Sequence, residues 1–328
     1  AFAQNNGGLN FIPNKGQIAD RNYNPRPDVL FQVEGKGVYI RENGLTFVLT
    51  NIEEAQHEAH EKAEEIEHSE EGLGYKSELD WTMDFLDKET IKTHQLSMTF
   101  LNANPNIEVQ QIEKSADYLN YYLPQCQDGI LGVHTYNQVE IQNLFKGINV
   151  NYYGSSIDGL KYDIHVAPKA NPNQIKCKWT GANNVSVQTD GRLLIETQIG
   201  DVNESLPKVY QLINEDTVTI SANYSVKKLK DNAFVVSYIL EKYNSNYELL
   251  IDPWVTNYGG EGPERANDVA ANEETVIMVG STASVTAIFE DGFSEILGGL
   301  KDMFVAKFSS TGERIWGTYY GGAGYDIG

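Results

Sequence analysis

A short phrase that occurs twice constrains the fold of this chain more than any other feature of its sequence. Residues 254–260 read WVTNYGG, and residues 316–322, 62 positions further on, read WGTYYGG. An aromatic strand that ends in Gly-Gly and recurs along a chain is typical of repeat architectures, most often β-propellers with blades of about 40 to 50 residues. Because one such unit cannot bury its own apolar faces, the phrase predicts a blade that stacks on further copies.

The composition and the alternation of residue types predict an all-β chain. The sequence contains 19 Tyr, 12 Phe and 4 Trp, and aromatic residues are enriched in strands. Residues 218–226 alternate strictly between apolar and polar types, as in a half-buried strand. Asn43-Gly44 separates two alternating runs, which predicts a two-residue hairpin turn. We therefore expect an N-terminal antiparallel, β-sandwich-like domain.

A change in composition and residue pattern near residue 253 predicts a domain boundary. Long alternating runs end at Asp252-Pro253, and Gly-rich sequence with short apolar runs follows. We expect residues 1–253 to form the antiparallel β domain and residues 254–328 to begin the propeller with its first blade. Residues 53–78 interrupt the first domain with an acidic Glu/His-rich stretch that has few large apolar residues, which indicates a solvated insertion.

The net charge and the N-terminal residues bear on the expected partners and the expected location of the protein. The formal net charge of −21 repels phosphate backbones, so nucleic acid is not an expected partner. No apolar run reaches the roughly 18 residues that a membrane-spanning helix needs. Residues 1–4 (AFAQ) have the small-x-small pattern of a signal-peptidase site, and we expect an exported protein.

Cys126 and Cys177 fit either one disulfide or two free thiols, and the sequence leaves both open.

The Glu/His-rich stretch holds the strongest metal-ligand candidates. On a helix, His57, His60, Glu61 and Glu64 would share one face at positions i, i+3, i+4 and i+7. A zincin motif needs a second imidazole where this chain has Glu64. A solvated acidic face that holds divalent ions loosely is the favoured interpretation, so no metal centre is predicted.

Acidic loops near the C-terminus contain candidate calcium ligands. Residues 290–292 (EDG) and Asp326 carry oxygen ligands of the kind that Ca²⁺ prefers. A complete loop of the D-x-D-x-D-G type is absent from the sequence. Calcium is therefore left open without being predicted, and no other cofactor is expected.

Enzymatic chemistry finds little support in the sequence. The Gly-x-Ser-x-Gly elbow of a serine hydrolase does not occur. His94, His134 and His165 fall within alternating strand patterns. Acid pairs such as Asp80 and Asp84 arise by chance among 46 carboxylates, and their separation decides whether they suit a glycosidase. No catalytic residue is predicted, and we expect a protein that is not an enzyme.

Four aromatic residues are the candidates for ligand binding. Amphipathic rings stack on sugars in binding sites, and the candidates for such a platform are Tyr121, Tyr152, Tyr153 and Trp254. Packing within a β core explains the same residues and is favoured, since aromatic residues are enriched in strands. Both interpretations stay open at this point.

Several motifs in order resemble a known family. Together they are similar to the SBBP family of bacterial β-propeller repeats, and they comprise residues 267–270 (NDVA), 276–284 (VIMVGSTAS), 302–308 (DMFVAKF) and 316–322. Upstream, residues 11–17 (FIPNKGQ), 139–153, 160–164, 204–211 and 249–253 resemble the uncharacterised all-β domain that precedes such repeats. The resemblance covers nearly the whole chain apart from the Glu/His-rich stretch.

The resemblance implies a large exported protein of the kind found in Bacteroidota-type bacteria, in which type IX secretion delivers cargo to the cell surface. It implies no established catalytic activity. Asp216-Thr217-Val218 matches a pattern of O-glycosylation in such proteins, which makes Thr217 a candidate for modification.

We therefore expect a non-enzymatic cell-surface scaffold for adhesion, surface assembly or display. Its partners would be other surface proteins or glycans, and homo-oligomers are left open. The alternative is a secreted glycan-binding module or carbohydrate-active enzyme that uses Tyr and Trp platforms.

Overall fold

The computed structural model divides the chain into two compact units. Unit 1 comprises Ala1–Val48 and Gln95–Tyr258, and unit 2 comprises Leu49–His94 and Gly259–Gly328. The structure describes residues 8–20, 22–50, 92–155, 159–214, 216–252, 255–256, 264–271, 275–283, 293–294, 296–299, 301–309, 314–322 and 326. The predicted insertion at 53–78 and its candidate ligands lie outside the described residues; these ligands are His57, His60, Glu61 and Glu64.

The described part of the chain is all-β, as the composition and alternation predicted. In chain order the strands up to residue 256 are β1 (Phe11–Pro13), β2 (Val29–Val33), β3 (Val38–Arg41), β4 (Gly44–Thr50), β5 (Thr93–Phe100), β6 (Glu108–Leu123), β7 (Cys126–Phe145), β8 (Ile148–Ser155), β9 (Gly159–Val166), β10 (Lys176–Thr180), β11 (Asn184–Val187), β12 (Leu193–Glu196), β13 (Asp201–Glu204), β14 (Lys208–Ile213), β15 (Asp216–Ile220), β16 (Ala222–Lys228), β17 (Phe234–Leu240), β18 (Leu249–Asp252) and β19 (Val255–Thr256). A short 3-10 helix covers Pro172–Gln174. Among the described residues, none belongs to a helix with the length and apolar character that crossing a membrane requires.

One large sheet returns to its own starting edge. Among the described strands, fifteen form this sheet in the order β15-β14-β18-β9-β8-β7-β1-β2-β3-β4-β5-β10-β17-β16, with β6 paired to β7. The strands at the two ends of this path, β15 and β16, are separated in the chain by Ser221 alone. A flat sheet of this width would hold its edges about 60 Å apart, whereas one residue spans about 3.6 Å. The sheet is therefore nearly closed and barrel-like, where the sequence had predicted a sandwich-like arrangement.

Aromatic and branched side chains fill the inside of the large sheet. Side chains alternate between the two faces of each strand, and in β9 Tyr162 and Ile164 are buried while Asp163 faces outward. Across β4 and β10 the rings of Phe47 and Trp179 stack with centroids 6.0 Å apart. The largest fully buried side chains of unit 1 are Trp179, Tyr152, Tyr162, Phe11, Phe31, Phe100, Phe234, Ile40 and Leu45.

A second, smaller sheet in unit 1 contains β11, β12, β13 and β19 in that order. Neighbouring strands pair antiparallel, with Ile195 of β12 facing Val202 of β13. Val202 and Glu204 lie on the same face of β13 and both are buried. This sheet therefore brings an ionisable side chain into the core of unit 1.

Unit 2 contains a four-stranded antiparallel meander. Its strands are β20 (Glu264–Ala271), β21 (Thr275–Thr282), β22 (Asp302–Ser309) and β23 (Arg314–Tyr320), and each pairs with the next. The second copy of the repeated phrase starts within β23 at Trp316. The described part of the first copy, Val255–Thr256, forms β19 and pairs with β13 in unit 1. The two copies therefore lie in different sheets.

The hairpin predicted around Asn43-Gly44 is confirmed, with its turn one residue earlier than expected. Gly44 pairs with Arg41, so Glu42 and Asn43 form the turn. A Cβ at position 44 would lie 2.0 Å from the backbone carbonyl oxygen of Met98 on β5. Glycine is thus needed at this position because β5 approaches closely, and not because the turn requires it.

We expect Gly44→Ala to lower the free energy of unfolding by at least about 2 kcal/mol, because the new methyl group would displace the backbone of β5. The midpoint of urea denaturation measures the change. Gly35→Ala is the matched control, since Gly35 also has positive φ but no atom lies within 4 Å of its added Cβ. Equal losses in the two variants would contradict the assignment.

Candidate functional site

Two aspartates from neighbouring strands meet on the outer face of the large sheet. The register that pairs Ile251 of β18 with Ile164 of β9 brings Asp252 beside Asp163, close enough for the charge of Asp252 to raise the pKa of Asp163. Both aspartates are partly buried. Lys208 of β14 pairs with Asp252 from the other side, so the pair sits within a polar strip that crosses three strands.

Tyr153 of β8 completes this carboxyl pair. Its hydroxyl group donates a hydrogen bond to Oδ1 of Asp163 over 3.0 Å. Burial and then the negative charge of Asp252 raise the pKa of Asp163 to about 6. Burial also raises the pKa of Asp252, against the attraction of Lys208 and Lys161. The two carboxyl groups are therefore harder to ionise together than ordinary surface aspartates.

The geometry of the carboxyl pair limits its chemistry. Glycosidases place their two carboxyl groups about 5 to 9.5 Å apart, so that a sugar or a water fits between them. Asp163 and Asp252 instead interact directly, since each shifts the pKa of the other. Together with the ring of Tyr153, they offer acceptors and an aromatic edge, which suits recognition of hydroxyl groups better than cleavage of a glycosidic bond.

A second ionisable cluster lies inside unit 1 around Glu204. Oε1 of Glu204 accepts hydrogen bonds from the hydroxyl groups of Tyr162 on β9 and Tyr224 on β16, over 3.0 and 2.8 Å. The relative exposure of Glu204 is 3%. The thiol of Cys177 on β10 lies near enough for the charge of Glu204 to raise its pKa further, beyond the larger effect of burial.

Burial raises the pKa of Glu204 to about 7, although the hydrogen bonds from Tyr224 and Tyr162 act in the opposite direction. The hydrogen-bond count supports a protonated carboxyl. The Tyr224 hydroxyl lies 2.8 Å from both Glu204 Oε1 and the carbonyl oxygen of Ser205, yet it has a single proton. A protonated Glu204 satisfies both contacts, because it donates to Tyr224 while Tyr224 donates to Ser205.

A pocket of about 400 Å³ lies away from both clusters. It is bounded by the loop after β1, by the residues before β2, and by Val109 and Gln111 of β6. Ile18 and Phe31 supply apolar surface, and Lys15 and Arg26 are basic side chains of its lining. The pocket includes most of the FIPNKGQ motif, so these residues shape a recess in the surface.

The structure separates the residues that the sequence had proposed for ligand binding. Tyr152 points into the core with 1% exposure, so its ring is not available at the surface. Tyr153 is on the outer face beside Asp163. Tyr121 is partly exposed on β6, and burial followed by the charge of Glu34 raises its pKa. Trp254 lies outside the described residues.

The remaining predictions concern a modification site, the two cysteines and the metal candidates. Thr217 is exposed on β15, at one end of the sheet path, and its modification stays a prediction. Cys126 and Cys177 are both free thiols, which decides between the two states that the sequence left open. Asp326 is described, whereas residues 290–292 are not. Within the described ranges, no group of three or more His, Cys, Asp or Glu side chains is placed to hold a metal ion.

Sequence reasoning did not single out Glu204, Asp163 or Asp252. The signal for Glu204 was present, because alternation in β13 puts it on the same face as the apolar Val202. The aspartate pair depends on which strands are neighbours. Asp163 and Asp252 are far apart in the chain, and no local pattern predicts that β9 pairs with β18.

These observations define an all-β protein with a filled, barrel-like sheet, a sealed interior carboxyl cluster and a polar outer strip. Residues 11–254 match the family described as a domain of unknown function, DUF7948. Since this match covers more than half of the chain, the protein belongs to that family. Neither the curated proteins nor the solved structures include a match to the chain.

We expect Glu204 to make stability depend on pH. The folded state holds the proton of Glu204 more tightly than the unfolded state, where the pKa is near 4.5. The contribution of Glu204 to the free energy of unfolding is therefore complete below pH 4.5. It is lost as the pH rises through 7, which lowers the free energy of unfolding by about 3 kcal/mol. Urea denaturation of the native protein and of Glu204→Gln between pH 5 and 8 measures it.

Glu204→Gln should flatten this part of the pH profile, and the exposed Glu241→Gln should leave it unchanged. Asp163 and Asp252 titrate with the same sign, so the decisive quantity is the difference between the native protein and Glu204→Gln. An identical slope in both would contradict the role of Glu204.

Proposed function

We propose that this protein is a non-enzymatic, exported cell-surface scaffold whose barrel-like unit is a rigid module for binding or assembly. The observation that carries the proposal is the filled interior of the large sheet. Trp179 and Tyr162 occupy space that a substrate would need, and the ionisable cluster around Glu204 is sealed beneath them. Recognition is therefore left to the outer strip and to the surface pocket, where side chains can vary without disturbing the core.

The proposal includes a β-propeller that begins in unit 2. Four sequential antiparallel strands are the content of one propeller blade, and β20 to β23 have that order. Alternate residues of β22 are buried, among them Phe304, Ala306 and Phe308, which supports a face that packs on something else. Such a blade is stable next to further blades rather than alone.

Export belongs to the proposal through the signal-peptidase-like pattern at residues 1–4. Type IX secretion, adhesion and surface assembly belong to the proposal through the resemblance of the repeats. Exposed Thr217 offers an accessible site for the glycan that such proteins carry.

A glycan-binding role is the second candidate, and one observation favours it. Tyr153 presents a partly exposed ring that is hydrogen-bonded to Asp163, next to Asp252. Aromatic rings flanked by carboxylates combine stacking with hydrogen bonds to hydroxyl groups.

We expect proteinase added to intact cells of the natural producer to digest this protein, because a surface scaffold lies outside the cell envelope. Immunoblotting measures the loss, and a cytosolic protein that stays intact is the control. Protection of the protein until the cells are lysed would overturn the proposal of surface location.

The scaffold proposal predicts no turnover of polysaccharide and no glycan-array signal that depends on the outer strip. If the array gives signals, Tyr153→Ala should lower them at least tenfold when the strip is the binding site, because stacking contributes about 1 to 1.5 kcal/mol or more beyond burial. Tyr23→Ala is the control, since Tyr23 is an exposed tyrosine elsewhere in unit 1. A loss of glycan binding in Tyr153→Ala but not in Tyr23→Ala would establish the glycan-binding role in place of the scaffold.

A further inference from the structure

The end of the repeated phrase in unit 2 brings two carboxylates together. Asp302 begins β22, and Asp326 follows the Gly321-Gly322 pair that ends the phrase. A Cβ built on Gly321 would lie 2.6 Å from Oδ1 of Asp302 and 2.8 Å from Oδ2 of Asp326. Both oxygens therefore lie on the same side of Gly321, within the span that one cation can bridge.

Asp302 is buried with one oxygen unsatisfied. Its relative exposure is 1%. The backbone N–H of Gly298 donates to Oδ2 over 2.7 Å, whereas Oδ1 has no hydrogen-bond partner among the described residues. Burying a carboxylate oxygen without a partner is costly. The oxygen that lacks a partner is the one that faces Asp326 across Gly321.

The surrounding backbone holds both carboxylates in place and adds oxygen atoms. Gly322 N–H donates to Oδ2 of Asp326 over 2.7 Å, and Asp326 N–H donates to the carbonyl oxygen of Lys301 over 2.7 Å. The carbonyl oxygens of Gly322 and Gly321 lie 2.9 and 3.4 Å from a Cβ built on Gly298. Oδ2 of Asp302 lies 3.3 Å from the same point, so the two carbonyl oxygens lie beside the Asp302 carboxylate on its Oδ2 side.

We propose that Asp302 and Asp326, with the carbonyl oxygens of Gly321 and Gly322, form a calcium site. Calcium takes six to eight oxygen ligands from carboxylates, backbone carbonyls and water in flexible geometry. Asp326 is partly exposed, which gives the ion a route from solvent and room for water ligands. Mg²⁺ demands near-ideal octahedral geometry and gives up its water reluctantly, so it fits this set less well.

The proposal also explains why the phrase ends in glycine here. Any side chain at position 321 would fill the space between the two carboxylates. The ion would fasten the segment after β23 to the start of β22. With only two carboxylates, its affinity should be modest, with a Kd of about 10⁻⁴ to 10⁻³ M, as in extracellular calcium modules.

Calorimetric titration of the whole chain with CaCl2 tests the site. We expect saturable binding, and at least about tenfold weaker binding in Asp302→Asn and in Asp326→Asn, because each removes a charged ligand. Asp128→Asn, at an exposed aspartate of unit 1, is the matched control and should bind as the native chain does. MgCl2 at the same concentrations should bind more weakly.

Thermal unfolding in CaCl2 and in EDTA gives a second measurement. Calcium should raise the unfolding midpoint of the native chain and of Asp128→Asn, but not that of Asp326→Asn. Asp326 is only partly buried, so this variant keeps the test valid even when Asp302→Asn does not fold. A native chain that neither binds calcium nor gains stability from it would overturn the proposal, as would unchanged binding in Asp326→Asn.

Discussion

The hydrogen bonds between Glu204 and two tyrosines connect distant parts of the large sheet. Tyr162 belongs to β9 and Tyr224 to β16, which lie far apart along the sheet path, and the hydroxyl groups of both are hydrogen-bonded to one oxygen of Glu204. Such contacts are available only when the sheet curves back on itself. A charged carboxylate would be costly in this core, and the raised pKa of Glu204 keeps it largely protonated up to neutral pH. Closure of the sheet therefore buries Glu204 where its neutral form is favoured.

The filled core decides which surfaces remain for function. Since aromatic side chains occupy the inside of the large sheet, the described groups of this unit that solvent can reach lie on its outer face and in its surface pocket. On the outer face, neighbouring strands place Tyr153, Asp163 and Asp252 in contact. This arrangement favours recognition over catalysis, which agrees with the proposal of a scaffold and with its glycan-binding alternative.

Close approach explains glycines in both units. At Gly44 the neighbour is the backbone of β5, and at Gly321 the neighbours are two carboxylates. In each place a turn-forming pattern is visible in the sequence, but the constraint comes from a segment elsewhere in the chain. A pattern that reads as local turn chemistry can thus mark a point where tertiary structure leaves no room for Cβ.

Local patterns were sufficient for the class of fold and for most strands. Period-two alternation predicts β3, β4 and β9 because it depends only on which residues face the core. Residues 218–226 were predicted as one strand, but they divide at Ser221 into β15 and β16, which lie at opposite ends of the sheet path. Alternation also determines that Tyr152 and Tyr153 face opposite sides, but which of them is inside follows from the curvature of the sheet. Sheet closure, the contact between Asp163 and Asp252, and the approach of Asp326 to Asp302 required the three-dimensional structure. These features arise from strand pairing and loop packing between segments that no short-range pattern connects.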